Sequence, residues 1–306
     1  MRFLVTGGAG FIGSNLIKAL EKKYSCKVWV LDDFSSGHFK NLIGTKCEVI
    51  TGDLSDPELW EWLKNSFHFD AVFHQGAITD TTVQDQRRMM EINADSIRPI
   101  LSACLYWKAK LIYASSAGVY GNSPAPMREE EGLLPENIYG FSKLMMDRIA
   151  MAFVDKIKVV GLRYFNVYGP GEAYKGKSAS MVYQLYCQIK AGKRPRLFKW
   201  GEQKRDFVYV EDVVRANLLA FEKDTSGIFN IATGQARSFN EIVNLLNSYL
   251  NTNYETEYIE CPYEFYQNLT QADISNAKKE LGYDPLYSLE KGIRDYLERL
   301  GENIRA

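Results

Sequence analysis

Apolar and polar positions alternate along this chain in long blocks. Phe3-Leu4-Val5 is a continuous apolar run, which predicts a buried strand over Arg2-Phe3-Leu4-Val5-Thr6. Leu16, Ile17 and Leu20 then recur at helical spacing and predict a helix from Ser14 to Lys22. The runs Val28–Leu31, Glu48–Thr51, Ala71–His74, Lys110–Ala114 and Lys158–Leu162 predict further strands. Helical patterns lie between them at Glu58–Ser66, Asn93–Trp107 and Tyr139–Phe153. Strands and helices that alternate over short connections imply a parallel sheet covered on both faces. In such sheets function gathers beyond the carboxyl ends of the strands. Three segments fall there: Gln75-Gly76-Ala77, Ser115-Ser116-Ala117, and Tyr164 to Pro170.

After Pro170 the rhythm changes. Gly171 to Lys177 reads as a polar loop, and Ser180 to Ala191 as an amphipathic helix. Asp206–Val210 and Gly227–Ile231 are strand candidates around a helix from Val213 to Glu222. Ser238-Phe239-Asn240-Glu241 is a capping box opening a helix to Tyr249. Leu281-Gly282 followed by Pro285 closes another helix. These readings divide the chain into a sheet domain of residues 1–169 plus 207–234 and a smaller lid of 170–206 plus 235–306.

The composition excludes several classes. With 306 residues, 46% of them hydrophobic, and a formal net charge of -1, the chain has no basic excess to attract nucleic acid. No apolar run approaches a membrane span, and the N-terminal strand is no signal peptide. Cys26, Cys47, Cys104, Cys187 and Cys261 are scattered and odd in number, which fits thiols in a reducing cytoplasm. No cysteine or histidine pair has metal-ligand spacing, and His38, His68 and His74 read as structural or surface residues.

Candidate chemistry begins at Gly7-Gly8-Ala9-Gly10-Phe11-Ile12-Gly13, directly between the first strand and the first helix. Glycines there let the backbone turn tightly and approach a pyrophosphate at the helix N-terminus. The second strand ends in Asp32-Asp33, where a ribose-binding carboxylate is expected. Strand, glycines, helix, strand and Asp in this order predict a Rossmann-type doubly wound parallel sheet binding a dinucleotide. Downstream, Tyr139 and Lys143 are four apart on a predicted helix and share one face. An ammonium near a phenol favours the phenolate. With a serine hydroxyl, Ser116 or its competitor Ser115, this set can take a proton from a secondary alcohol while a nicotinamide takes the hydride.

Gly7 to Gly13, Asp53-Leu54, Ser116, Tyr139 with Lys143, and Arg163-Tyr164-Phe165-Asn166 together resemble the extended short-chain dehydrogenase/reductases that act on nucleotide sugars. The likeness spans essentially the whole chain. A narrower likeness lies in Tyr164 to Ser180, Lys204 to Val210, Tyr266-Gln267 and Thr270 to Asp273, and it points to the ADP-heptose 6-epimerase branch of that family. The resemblance implies that the lid is an α/β nucleotide-sugar-binding domain. It also implies a tightly held NADP or NAD, a homo-oligomer in the cytoplasm, and a role in lipopolysaccharide core biosynthesis. The reaction it implies inverts C6 of the heptose by transient oxidation and reduction on the opposite face. Two acid/base groups are then needed, Tyr139 and, in the loop after Asn166-Val167-Tyr168-Gly169-Pro170, Lys175. By the same resemblance Phe11, Ile12, Asp53, Leu54, Gln75, Gly76, Ala77, Ile78, Asn93 and Val167 line the cofactor. Asn166, Gln184, Phe198, Arg205 and Tyr266 align with substrate-binding positions, and the Arg205 guanidinium matches a diphosphate in a bidentate way.

Two departures from the family bear on specificity. Asp32-Asp33 is followed by Phe34-Ser35-Ser36-Gly37-His38-Phe39-Lys40, one residue shorter than the family's NADP-binding segment, and the second lysine position falls near Pro57. Two carboxylates favour a ribose 2′-hydroxyl and repel a 2′-phosphate, whereas His38 or Lys40 could compensate, so both dinucleotides stay open. Lys177 stands where the family has a small serine contacting substrate, and Gln184 replaces a histidine. The alternatives are a UDP- or GDP-hexose 4-epimerase, dehydratase or reductase, and a non-catalytic NAD(P)-sensing protein. Dehydratases need an acidic residue after the catalytic serine, and here Ala117-Gly118 follow Ser116. A sensor would not need both Tyr139 and Lys143.

Overall fold

A computed structural model of the protein describes residues 1–262 and 267–302. Its centre is a sheet of seven parallel strands: β1 (Arg2–Thr6), β2 (Lys27–Asp32), β3 (Glu48–Thr51), β4 (Ala71–His74), β5 (Lys110–Ser116), β6 (Val159–Tyr164) and the distant β10 (Gly227–Ile231). The spatial order is β10-β6-β5-β4-β1-β2-β3, so the chain reverses its direction of travel between β1 and β4. A crevice opens at that switch point, above the carboxyl ends of both strands.

Period-two alternation puts Phe3, Val5, Val28 and Val30 in one apolar layer and Leu4, Trp29 and Leu31 in the other. Both faces must therefore be covered. α1 (Phe11–Lys23) and α7 (Val210–Glu222) cover the first, while α2 (Pro57–Ser66), α4 (Ile97–Trp107) and α5 (Ile138–Met151) cover the second. Helix α2 starts on Pro57, and Asp56 accepts the amide N–H groups of Glu58 and Leu59.

The predicted helix over 93–107 begins earlier, as α3 (Gln86–Met90), and passes through one π turn at Glu91–Asp95 before α4. Pro99 has no N–H to give the Asp95 carbonyl, so the regular ladder is interrupted there. The turn aims the Asn93 side chain at Ile78.

The segment 207–234 behaves differently at its two ends. β10 joins the main sheet as expected, pairing from Gly227↔Val160 to Ile231↔Tyr164. β9 (Lys204–Tyr209) stays out of it and forms an outer sheet with β7 (Asn166–Tyr168) and β11 (Ala236–Ser238). The reason is that β10 occupies the edge of β6. Phe165 gives its N–H to Ile231, and the chain turns away into β7.

β8 (Arg196–Phe198) and β12 (Glu257–Ile259) make a small parallel pair. α6 (Met181–Lys190), α8 (Phe239–Leu250), α9 (Ser275–Leu281) and α10 (Leu289–Arg299) complete the chain. The capping box at Ser238 and Glu241 forms, and Gly282 ends α9 at φ +69°. One apolar cluster runs from α1 and α7 into Leu185, Leu246 and Ile293, so the lid shares its core with the sheet. Among the described residues no helix is long and apolar enough to cross a membrane, and no cluster could hold a metal ion.

Candidate active site

A cleft of about 430 Å³ opens at the switch point. Its walls include Phe11, Ile12, Gln75, Ala77, Ser116, Tyr139, Lys143, Asn166, Val167, Lys175 and Arg205, which sequence reading had selected from across the chain.

Helix α5 presents Tyr139 and Lys143 to the cleft. The Ser116 hydroxyl accepts the Gly118 N–H at 3.0 Å and hydrogen-bonds the Tyr139 phenol. Ser115 is buried among Asp147 and its neighbours, so Ser116 is the serine beside Tyr139. Burial raises the phenol above its ordinary value, and Ser116 opposes the shift. The expected lowering of the phenol by Lys143 is not among the causes of this shift, which burial dominates. The Lys143 ammonium is 2% exposed, donates to the Ala114 carbonyl at 2.9 Å, and is pushed down to about 8 by burial, against the pull of Asp147. Behind it Asp147 pairs with Arg163 at 2.9 Å and accepts the Tyr113 hydroxyl at 3.0 Å.

At the dinucleotide end, Gly7 adopts φ +63°, and a Cβ there would sit 2.5 Å from Gly76 Cα. A Cβ on Gly13 would sit 2.3 Å from the Gly7 carbonyl oxygen, so this turn requires glycine. Gly10 caps α1 without a side chain, leaving the first-turn amides without a side-chain acceptor. Those amides and the positive end of the helix fit a diphosphate. Asp32 is buried and accepts the Ala9 and Phe34 N–H groups at 2.8 and 2.9 Å, whereas Asp33 is exposed and holds Ser35. His38 gives its N–H to the Ala9 carbonyl and stacks on Tyr174 at 3.8 Å, with Lys40 over the same ring at 6.0 Å. Asp53 pairs with Arg88 at 2.6 Å and is held below the usual carboxylate range by Arg88 and Ser55 despite partial burial. Leu54 lies against Gly76. Gln75, Asn217 and Tyr164 close a ring of hydrogen bonds of 2.8 to 3.1 Å. Asn93 is fully buried and clamps the Ile78 N–H and carbonyl at 2.8 and 2.9 Å, so it supports the loop after β4 from behind.

Lys175 enters from a short 3₁₀ turn, Ala173–Ser178, with its ammonium 5.6 Å from the Phe11 ring centre. Burial lowers its proton affinity and Glu172 opposes that shift. On the substrate side Arg205 is buried, lies 5.7 Å over the Phe239 ring, and lines the cleft with Asn166. Lys177 is exposed near Asp80, with Ser178 on the cleft wall beside it in sequence. Gln184 donates to the Lys177 and Ala179 carbonyls at 3.1 and 2.7 Å, holding the loop from below. Phe198 ends β8 opposite Ile259. Tyr266 lies outside the described residues. Sequence reading missed Arg88, Asn15, Asn41, Glu172 and Phe239. Arg88, Asn15 and Asn41 are polar residues with no motif of their own, and their partners Asp53, Pro170 and Gly171 are remote in sequence. Glu172 sits inside the stretch from Tyr164 to Ser180 but bonds Gly169 and Ser180 rather than the cleft.

Residues 3–232 match the NAD dependent epimerase/dehydratase family. The chain is 40% identical, over 97% of either sequence, to an ADP-L-glycero-D-manno-heptose-6-epimerase of Brachyspira hyodysenteriae. It superposes on the ADP-L-glycero-D-manno-heptose-6-epimerase of Helicobacter pylori with a TM-score of 0.93 at 47% identity, covering 98% of this chain and 96% of that one. The UDP-glucose 4-epimerase of Thermotoga maritima, solved with UDP-glucose, gives 0.92 at 32% identity over 99% and 100%. The UDP-glucuronic acid 4-epimerase of Bacillus cereus, solved with UDP-glucuronic acid and NAD, gives 0.85 at 28% identity over 98% and 100%.

Proposed function

The chain belongs to the NAD dependent epimerase/dehydratase family, and from that premise we propose that it interconverts ADP-D-glycero- and ADP-L-glycero-D-manno-heptose at C6. The carrying observation is that two acid/base side chains from separate elements, Tyr139 on α5 and Lys175 after β7, line one cleft. Inverting a carbinol carbon requires the hydroxyl to meet a proton acceptor in each of two orientations. Tyr139 serves one epimer, with Ser116 hydrogen-bonding the same oxygen. Lys175 serves the other, and its lowered proton affinity raises the fraction of free amine. A bound dinucleotide would supply a nicotinamide to accept the C6 hydride and return it. Lys143 is held by Ala114 where it can order Tyr139 and a ribose hydroxyl. Arg205, buried on the cleft wall, holds the substrate diphosphate in this reading.

The dinucleotide is NAD or NADP. We assign it as tightly held NAD, because the exposed Asp33 carboxylate disfavours a 2′-phosphate while Arg88 is engaged by Asp53. Residues 1–169 with 207–234 are then the dinucleotide half and the remainder the nucleotide-sugar half. The enzyme works in the cytoplasm as a homo-oligomer, with exposed Leu105 and Tyr106 on α4 and Phe141 on α5 as candidate contacts. Sedimentation as a monomer would exclude the oligomer.

Purified protein should convert ADP-heptose far faster than UDP-glucose, and heat denaturation should release NAD. Tyr139→Phe should keep the dinucleotide and lose roughly 10²–10⁴-fold in kcat. Equal or better turnover of UDP-glucose would overturn the substrate assignment, and undiminished turnover in the variant would overturn the role of Tyr139.

A further inference from the structure

Glu172 is 0% exposed, beside the cleft, and the acid/base assignment above makes no use of it. An ionised carboxylate is costly to bury without donors. Here Oε1 accepts the Gly169 N–H at 3.0 Å and the Ser180 hydroxyl at 2.9 Å, while Oε2 accepts the Ser180 N–H at 2.5 Å. One side chain thus ties together the two ends of the loop that carries Lys175. The Glu172 carbonyl also accepts the Lys175 N–H at 2.9 Å. From outside, Asn15 donates to the Pro170 carbonyl at 2.7 Å and Asn41 to the Gly171 carbonyl at 3.3 Å, fastening the closed loop to the glycine-rich turn. Tyr183 of α6 and Tyr296 of α10 also face the carboxylate, and both are neutral, so Lys175 is the cation facing it.

We propose that Glu172 is a positioning residue for Lys175, closing loop 169–180 on itself and so fixing where the ammonium stands in the cleft. The inference rests on the reading of Lys175 as the second acid/base group. A neutral amide oxygen in the Oε1 position could still accept from Gly169 and the Ser180 hydroxyl. Only a carboxylate also accepts the Ser180 N–H through its second oxygen and sets a negative charge facing the ammonium.

The test is a cycle of E172Q, K175M and the double variant, with E172D made in parallel. Glutamine keeps the shape and, through its amide oxygen, the Oε1 contacts, but its NH₂ cannot accept the Ser180 N–H and its charge is gone. K175M should lower kcat by about 10²–10⁴-fold, the span of general acid/base catalysis, and E172Q by about 10–100-fold with KM changed less than about twofold. The double variant should match K175M within about twofold, because Glu172 acts through Lys175. E172Q should also move the Lys175 limb of the kcat–pH profile to lower pH, since a negative neighbour is gone. E172D, which keeps the charge, should retain more turnover than E172Q. Losses that multiply in the double variant, an unmoved limb, or equal losses in E172D and E172Q would overturn the proposal.

A second readout does not use turnover. Reductive methylation with ¹³C-formaldehyde marks lysines for NMR, and K175M identifies the Lys175 resonance. In E172Q that resonance should shift and titrate at lower pH. An unchanged resonance overturns the positioning role whatever the activity. A shifted resonance with K175M still fully active would instead overturn the acid/base role of Lys175 and leave the positioning intact.

Discussion

Tyr139 and Lys143 stand one helical turn apart, yet the environment of each is set more by burial than by their spacing. The spacing was legible in sequence, and so was the pairing with a serine. The depth of the site was not, because burial depends on what packs from elsewhere. His74 shows the same limit, having been read as structural or surface. It is fully enclosed, its Nδ1 meets the Thr6 hydroxyl at 2.7 Å, and burial with the nearby Lys143 charge holds it down to about 3 from 6.5. The folded state then binds fewer protons than the unfolded chain between those values, so stability is lost as pH falls below 6.5. Going from pH 7 to pH 5 should cost the wild type about 2 kcal/mol more than His74→Gln, measured by urea unfolding. Equal losses would show that the imidazole protonates freely in the fold.

At the scale of elements, strands with continuous apolar runs and helices with clear caps were readable, down to the box at Ser238. The three-residue strands β7, β8, β11 and β12 were not, since three residues carry no periodicity. What decides the path of β9 is a long-range tie. Asp206, fully buried and pushed up to about 6 by burial, accepts the Thr233 N–H and hydroxyl at 2.8 and 2.6 Å, the Gly234 N–H at 2.9 Å and the Ala272 N–H at 3.2 Å. It therefore joins β9 to the turn after β10 and to the lid. Asp206→Ala leaves those donors without their acceptor and should lower unfolding stability by about 3 kcal/mol at pH 7.5. An unchanged urea midpoint would mean that water replaces the carboxylate at no cost. The substrate-side expectations mark the same boundary. Gln184 braces a loop, Lys177 points to solvent near Asp80, and on the cofactor side Asn93 likewise braces the loop after β4.

Over the whole molecule, the parallel sheet positions the chemistry by bringing the ends of β1, β4, β5 and β6 to one crevice. The lid adds Lys175 and Arg205 through a core continuous with the sheet. The central claim is that C6 is inverted by hydride leaving and returning to one carbon, with protons handled at oxygen by Tyr139 and Lys175. The direct test is proton NMR of ADP-D-glycero-D-manno-heptose incubated with the purified protein in D₂O, with no dinucleotide added. The account predicts a mixture of the two C6 epimers that keeps protium at C6, because the hydride never exchanges with solvent. An unchanged heptose, or deuterium appearing at C6, would contradict it.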